Sequence, residues 1–247
     1  MTAASMAMEA DVSLLAARVA QHDWEAVHDE LDAVGVARLP GMLSAEECLE
    51  LRSLYDDATQ FRSHVIMQRH GFGRGEYKYY RHPLPDTITT LRAALYPLLA
   101  PLANRWNERL GDAVRFPDTH QEFLARCHAV GQARPTPLLL KYGAGDFNAL
   151  HQDLYGTHVF PFQVVFLLSQ PGVDFDGGEF VLTEQRPRMQ SRAEVVPLAR
   201  GDAAIFAVHH RPVNGTRGTY RVTLRHGVSR IRRGTRFATG VIFHDAT

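Results

Sequence analysis

The first third of the chain carries apolar residues at helical spacing. These residues share one side of a helix and stop before Gly35, which is a residue type that commonly ends helices. They are Leu14, Leu15, Val19, Trp24, Val27 and Leu31. The apolar run Val36 to Leu39 follows directly and predicts a short strand. The pattern therefore predicts a helical start that leads into one strand.

Ser44 and Glu47 have the spacing of a capping box, in which each side chain accepts a hydrogen bond from the backbone of the other residue. We expect a helix to begin after Ser44, with Cys48, Leu51 and Leu54 on one face. Apolar spacing from Thr87 to Leu110 predicts a further, longer helix.

The pattern changes after about residue 136. Short apolar runs are now separated by Gly, Pro and Asp, as is typical of strands and turns. The runs are Leu138–Tyr142, His158–Leu168, Glu179–Leu182, Ala193–Leu198, Ala203–Val208, Tyr220–Ile231 and Phe237–Phe243. Between the last two runs, the segment from Arg232 to Arg236 includes Gly234, and we interpret it as a hairpin turn.

These elements predict an α+β fold with a mainly β core. About eight short strands preceded by helices are typical of a double-stranded β-helix, or jelly roll, with an N-terminal helical buttress. We assign residues 1–136 to a helical region that includes a substrate lid, and residues 137–247 to the jelly-roll core. Because no Ser/Gly linker separates the two regions, we expect them to form one unit.

Charge is distributed unevenly along the chain. The 247 residues have a formal net charge of zero, which argues against a protein that coats DNA along its whole surface. The segment from Val181 to Thr247, however, contains twelve arginines, no lysine and four acidic residues. This arginine-rich segment is a candidate surface for a phosphate-bearing partner.

The two cysteines, Cys48 and Cys127, lie far apart in helical contexts, so we expect reduced thiols in the core and no disulfide. The sequence has no apolar stretch long enough to span a bilayer and no secretory leader pattern. We therefore expect a cytoplasmic protein without a membrane partner.

The most informative polar motif is His151-Gln-Asp153. In an extended chain, residues two apart point to the same side, so the imidazole and the carboxylate can bind one metal ion. This motif alone is common by chance. A later strand-like run adds His226, and Arg236 follows ten positions further on. Two imidazoles and one carboxylate on one side of an octahedral ion form the facial triad of non-haem iron(II) oxygenases.

The order of these motifs resembles that of the iron(II)- and 2-oxoglutarate-dependent oxygenases, especially their prolyl 4-hydroxylase branch. The resemblance covers residues 138–247. Its motifs are Tyr142, His151-x-Asp153, Gly177-Gly178-Glu179, Pro197 to Gly201 leading to Phe206, and His226 followed by Arg236. The sequence departs from that branch at Phe180, which replaces a threonine, and at an apparent insertion from Arg211 to Thr219.

By this resemblance, His151, Asp153 and His226 would bind Fe(II) and act in catalysis. Arg236 would pair with the distal carboxylate of 2-oxoglutarate, and Tyr142 would hydrogen-bond the same carboxylate. Dioxygen would be the second cosubstrate, and succinate and carbon dioxide would be released with the oxidised product.

Other interpretations of these residues remain open on sequence alone. His209 and His210 are rival metal ligands, but neither has a basic residue ten positions later, so we favour His226 and expect His210 to line the pocket. Taken singly, the His151 and Asp153 pair is equally compatible with a stabilised turn. Arg236 taken singly is compatible with an exposed hairpin residue.

Residues 67–82 mix aromatic residues, arginines and glycines before the jelly-roll core, and we interpret them as a mobile lid. Arg74, Tyr77 and Tyr79 of this segment are candidate substrate contacts, because aromatic faces among cations suit single-stranded nucleic acid. An ordinary substrate loop can have the same composition. Arg186, Arg188 and Arg192 form a second candidate phosphate-binding loop. The alternative is that they belong to a solvated edge strand that binds no ligand.

Over nearly its full length, including residues 73–79 and 184–190, the chain resembles a bacterial oxygenase family assigned to oxidative demethylation of damaged DNA. This resemblance implies a dioxygenase that acts on single-stranded or damaged DNA. A peptidyl prolyl hydroxylase that acts on a protein is the alternative, because the motif order is closest to that branch. A third hypothesis is a jelly-roll binding module without activity.

Overall fold

The computed structural model describes residues 13–216 and 218–247. The helices within these residues are α1 (13–20), α2 (Trp24–Val34), α3 (Ala45–Ser53), α4 (Asp86–Leu110) and α5 (His120–Ala129). Short 3-10 turns occupy Leu54–Asp56, Ala58–Gln60 and Met67–His70. None of the helices in the described ranges is long and apolar enough to cross a membrane.

The helices predicted in the N-terminal region are present, but the first of them is two helices in the structure. The helical start is divided after residue 20, because the Asp23 side chain caps a second helix by accepting a hydrogen bond from the Ala26 N–H at 3.1 Å. Gly35 ends that helix with a positive φ of 81°. The capping box of Ser44 and Glu47 is formed as predicted.

The strands are short and mostly antiparallel. They are β1 (Val36–Leu39), β2 (Phe61–Ile66), β3 (Gly73–Arg74), β4 (Glu76–Tyr80), β5 (Leu138–Tyr142), β6 (Phe147–His151), β7 (Phe162–Leu167), β8 (Phe175–Gly177), β9 (Phe180–Gln185), β10 (Arg192–Val196), β11 (Ala203–Ala207), β12 (His210–Gly215), β13 (Gly218–Val228), β14 (Ile231–Gly234) and β15 (Arg236–Ile242). All seven runs predicted after residue 136 contain a strand, although several bounds shift by a few residues.

Two sheets form the core. The major sheet has the order β1-β11-β7-β15-β5-β4-β2, and the minor sheet has the order β10-β9-β13-β6-β3 with β12 also paired to β13. Rings from both sheets touch, since Phe206 of β11 lies 5.0 Å from Phe180 of β9 between ring centroids. The inner faces of the two sheets therefore pack against each other, as in a jelly roll.

Helix α4 covers the outer face of the major sheet. Trp106 of α4 packs on Phe162 of β7 with 4.6 Å between ring centroids, and Tyr96 packs on Phe160 at 4.9 Å. Strand β7 alternates its side chains between this helix layer and the minor sheet. Cys48 and Cys127 are buried free thiols, as the sequence predicted.

The predicted hairpin at Arg232 to Arg236 is wrong. Residues Ile231–Gly234 form β14, which pairs with β8, whereas β15 pairs with β5 and β7. Gly234 does have a positive φ of 77°, but it turns the chain from one sheet to another. The apparent insertion at Arg211 to Thr219 is likewise regular structure, because β12 pairs with the beginning of β13.

The N-terminal region is not only helical. Strands β1, β2 and β4 extend the major sheet on both sides of the strands that follow residue 136. Residues Glu76–Tyr80 of the expected lid are therefore a sheet strand, since β4 pairs with both β2 and β5. Residues 67–75 form a 3-10 turn and the two-residue strand β3, which pairs with β6.

Candidate active site

Three side chains with metal-ligating atoms meet at the inner face of the minor sheet. His151 is the last residue of β6 and is the register partner of His226 on β13. Asp153 follows His151 by two residues. One ligand atom from each of the three residues lies within 4.8 Å of the others. His151, Asp153 and His226, which we call the triad, could therefore hold one metal ion.

The geometry directs both imidazoles at the carboxylate. Nε2 of His151 lies 3.5 Å from Oδ1 of Asp153, and Nε2 of His226 lies 3.4 Å from Oδ2. Nδ1 of His151 is 2.8 Å from the carbonyl oxygen of Ala149. A proton on that Nδ1 would donate to this carbonyl and leave the Nε2 lone pair free for a metal.

Burial and charge shift the pKa values of Asp153 and His226 in the directions that metal binding requires. Burial alone would raise the pKa of Asp153, but the hydrogen bond from His226 and the charges of both histidines hold that pKa below its ordinary value. Burial lowers the pKa of His226, which favours its neutral imidazole. The arrangement thus offers an ionised carboxylate and, at His226, an imidazole that burial favours as a neutral donor.

Two tyrosines support the carboxylate. The Tyr155 hydroxyl donates a hydrogen bond to Oδ1 of Asp153 at 2.7 Å, and the Tyr79 hydroxyl donates to the Tyr155 oxygen at 3.3 Å. Tyr79 also packs edge to face on Tyr77 with 5.3 Å between centroids. This chain of contacts connects Asp153 to β4 and limits the rotation of its side chain.

Arg236 places a guanidinium in the interior without an acidic partner. It is the first residue of β15, is 2% exposed, and faces Tyr142 of β5 in register. Within the described ranges its Nε has no hydrogen-bond partner, and none of the ion pairs includes it. Burial lowers the pKa of Arg236. A buried cation in this state is suited to bind an anion.

Tyr142 adds a second unused polar group next to Arg236. Its hydroxyl is fully buried and has no hydrogen-bond partner among the residues that the structure describes. Arg236 and Tyr142 lie close together, with 5.7 Å from the guanidinium carbon to the phenol ring centroid. Together they present N–H and O–H donors to the same space, as a carboxylate would require.

One cavity of about 210 Å³ connects these groups. The triad, Arg236 and Tyr142 all contribute to its lining, as do Tyr77 and Tyr79 of β4. Most of the remaining lining is apolar or aromatic. The fold therefore places the residues expected to bind metal and those expected to bind an anion in one cavity.

Two predicted substrate residues lie elsewhere. Arg74 on β3 is exposed and 4.0 Å from Asp146, and it does not line the cavity. His210 begins β12, where its ring contacts that of His209 with 3.4 Å between centroids, and neither histidine lines the cavity. The expectation that His210 lines the pocket is wrong, because His210 lies on β12, an extra strand of the minor sheet that pairs with the first part of β13.

Sequence reasoning missed Tyr155, Gln163 and Phe206 as lining residues. For two of these residues, the sequence contained a feature that could have indicated a place in the cavity. Tyr155 stands two residues after Asp153, and Gln163 is the one polar residue in the apolar strand β7. Phe206 was part of the motif that begins at Pro197, but an aromatic residue in a buried strand is ordinary core and did not by itself indicate a place in the cavity.

Comparison with known proteins agrees with this arrangement. The sequence model of the Oxygenase-NA family, described as an oxygenase catalysing oxidative methylation of damaged DNA, matches residues 75–246. An uncharacterized protein found in two strains of Mycobacterium tuberculosis is 52% identical over 164 residues, which cover 66% of this chain and 70% of that protein.

Two solved structures share the fold. A Pseudomonas putida prolyl-4-hydroxylase aligns with a TM-score of 0.53 and 16% identity over 91% of this chain and 99% of its own. A Trichoplax adhaerens prolyl hydroxylase, solved in complex with a hypoxia inducible factor peptide fragment, aligns with a TM-score of 0.53 and 17% identity over 90% of this chain and 89% of its own. These likenesses confirm the predicted jelly-roll architecture.

Proposed function

The chain belongs to the Oxygenase-NA family of oxygenases, and we propose that it uses iron(II) and 2-oxoglutarate to demethylate damaged bases in nucleic acid. The observation that carries the proposal is the shared cavity, in which a possible metal triad and an unpaired buried guanidinium lie together. The family description supports nucleic acid as the substrate class.

The triad fits iron(II) by its donor set. His151 and His226 would supply neutral nitrogens and Asp153 one carboxylate oxygen, a combination typical of oxygenases that leave several positions of the ion open. When bound, iron with 2-oxoglutarate supplies the oxidative chemistry that inserts one oxygen atom into a substrate C–H bond. Tyr155 keeps the Asp153 carboxylate oriented towards the two imidazoles.

Arg236 and Tyr142 fit the distal carboxylate of 2-oxoglutarate. A guanidinium can donate two parallel hydrogen bonds to a carboxylate, and this pairing would satisfy the buried Nε of Arg236. The Tyr142 hydroxyl would donate a further bond. Because Arg236 is buried and fixed on a strand, the cosubstrate would bind in one orientation, with its keto acid end towards the triad.

Because Gly178 has no side chain, there is room for the Arg236 side chain beside it. Its φ is +65°, and an added Cβ would overlap Cδ1 of Ile231 and lie 3.0 Å from Cδ of Arg236. We therefore expect Gly178→Ala to raise the KM for 2-oxoglutarate about tenfold by displacing the guanidinium. Gly111→Ala is the matched control, since Gly111 has a φ of +72° with nothing within 4 Å of an added Cβ. Equal KM values in both variants would contradict the assignment.

A methyl group on a ring nitrogen is the substrate feature that fits this chemistry. Dioxygen and 2-oxoglutarate convert N–CH3 to N–CH2OH, with succinate and carbon dioxide as the other products. The bond from the ring nitrogen to the hydroxymethyl carbon then breaks, so that the carbon leaves as formaldehyde, the hydroxyl proton is released, and the electron pair stays on the ring nitrogen. Hydroxylation at this site thus results in demethylation, and the base must leave its stack to enter the cavity.

The cavity mouth offers aromatic surface to an unstacked base. Phe72 lines the cavity, is 48% exposed, and stacks on His70 with 5.3 Å between ring centroids. Tyr77 and Tyr79 line the same cavity from β4. Bases stack on aromatic rings with little dependence on sequence, which suits an enzyme that acts on damage in single strands.

The test is formaldehyde release from a single-stranded oligonucleotide that carries one N-methylated base. With iron(II), 2-oxoglutarate and oxygen, we expect formaldehyde in equal amount to the methyl groups lost, and none from the unmodified oligonucleotide. A proline-containing peptide provides the competing arm. Hydroxyproline formation without any formaldehyde from DNA would replace the nucleic-acid assignment with the peptidyl one.

The proposed stacking of the substrate base on Phe72 can be tested with one variant and a matched control. Phe72→Ala is expected to raise the KM for the methylated strand about tenfold, since stacking of one base on one ring is commonly worth 1–3 kcal/mol. Leu49→Ala removes a similarly exposed apolar side chain on α3, away from the cavity, and should leave that KM unchanged.

A further inference from the structure

Gln163 is a buried polar group that the proposed chemistry leaves unused. It lies on β7 among apolar residues, is 4% exposed, and lines the cavity. Its Nε2 is buried and has no hydrogen-bond partner in the part of the chain that the structure describes. Leaving an amide donor unpaired in the interior costs free energy, so an unpaired amide that lines a cavity is a candidate for binding a ligand.

The register of the major sheet separates Gln163 from the cosubstrate end of the cavity. Gln163 is the partner of Ile242 on β15, six residues beyond Arg236 on the same strand. At about 3.3 Å per residue, the two backbone positions are roughly 20 Å apart. The distal carboxylate of 2-oxoglutarate, held by Arg236, would therefore lie far from the Gln163 amide.

Gln163 instead lies beside the triad on the side away from Arg236. Its register partner on β11 is Phe206, whose ring centroid is 4.5 Å from that of His226. One aromatic side chain therefore separates the amide from a metal-ligating imidazole. This position is within reach of whatever molecule presents a methyl group to the triad.

The walls at this end of the cavity are flat and aromatic. Tyr79, Tyr155 and Phe206 line them, while the two tyrosine hydroxyls are already engaged with each other and with Asp153. Gly240 contributes no side chain to the lining, and a Cβ there would lie 2.8 Å from Cδ2 of Leu138. A planar ring with a hydrogen-bonding edge fits between such walls.

We propose that Gln163 selects the base by donating its amide N–H to a carbonyl oxygen adjacent to the methylated ring nitrogen. This inference rests on the proposed function. With the methyl group at the triad, the atoms flanking the methylated nitrogen face Gln163. In 3-methylcytosine one flanking atom bears a carbonyl oxygen, whereas in 1-methyladenine the flanking positions bear a hydrogen and an amino group. The enzyme therefore prefers 3-methylcytosine to 1-methyladenine.

The test compares kcat/KM for two single-stranded oligonucleotides that differ only in which of these bases they carry. The wild type should favour 3-methylcytosine about tenfold, the effect of one buried hydrogen bond of about 1.4 kcal/mol. Gln163→Met keeps the side-chain length and removes the donor, so it should abolish the preference by slowing the 3-methylcytosine reaction alone. Gln60→Met, on a surface turn, should keep the preference.

The ratio of the two substrates separates recognition from folding, because a poorly folded variant loses both activities in parallel. An equal loss on both bases would mean that Gln163 only packs, and would overturn the inference. A raised KM for 2-oxoglutarate in Gln163→Met would also overturn it by placing the amide at the cosubstrate. If the wild type demethylates neither base, the proposed function itself fails, and this inference fails with it.

Discussion

His226→Ala is expected to abolish oxygenase turnover, with a loss of more than about a hundredfold, since even residues that only orient metal ligands often account for 10- to 100-fold. His226 is 6% exposed and its Nε2 points at Asp153. Removing it would leave His151 and Asp153, a pair too small to hold iron(II) firmly. Anaerobic titration with iron(II) and 2-oxoglutarate, monitored by the absorption of the complex, measures the loss directly.

His210→Ala is the matched control for this variant. His210 is a histidine on the strand that pairs with β13, and it was the rival metal ligand on sequence grounds. The structure places it outside the cavity, so its loss should leave iron binding and turnover near wild-type values. Full activity in His226→Ala, or its loss in His210→Ala, would contradict the triad. Far-ultraviolet circular dichroism of both variants separates metal loss from unfolding.

Features set by nearby residues could be predicted from the sequence. The capping box at Ser44, the helix end at Gly35 and the pairing of His151 with Asp153 on one side of the chain all follow from spacings of a few residues. The choice of His226 as the third candidate metal ligand depended on the order of distant motifs. Local pattern and motif order together were sufficient for the fold class and the candidate triad.

Features set by distant pairing could not be predicted in this way. The chain from Arg232 to Gly234 has turn-like composition, yet it is a strand because β8 offers it backbone partners. Tyr77 and Tyr79 have loop-like neighbours in sequence, but β2 and β5 enclose them in a sheet. In both cases tertiary hydrogen bonds outweigh weak local preference.

The residues on the substrate side of the cavity could not be predicted from the sequence either, because distant strand pairing brings them together. Gln163 comes next to Phe206 and the triad only through the pairing of β7 with β11. Its sequence context marks it as an unusual polar residue in an apolar run, but not as a neighbour of the metal site. Arg74 and His210, by contrast, had suggestive contexts and lie outside the cavity.

Arg236→Met is expected to raise the KM for 2-oxoglutarate by about a hundredfold or more, because two charge-assisted hydrogen bonds of 1.5–3 kcal/mol each would be lost. Arg236→Lys should recover only part of this loss, since an ammonium keeps the charge but not the two-pronged geometry. Steady-state kinetics with varied 2-oxoglutarate measures both variants. Arg233→Met is the matched control, because Arg233 is an exposed arginine that pairs with Asp176 on the surface.

Thermal unfolding gives Arg236→Met a second signature. The wild type buries a guanidinium without an acidic partner, so replacing it with an apolar side chain should raise the Tm of the cosubstrate-free protein. Adding 2-oxoglutarate with a redox-inert divalent metal should then raise the Tm of the wild type but not that of the variant. A residue that served only the fold would show the opposite order, with the variant less stable and still stabilised by 2-oxoglutarate. Higher intrinsic stability together with lost cosubstrate binding would identify Arg236 as a group kept for its ligand.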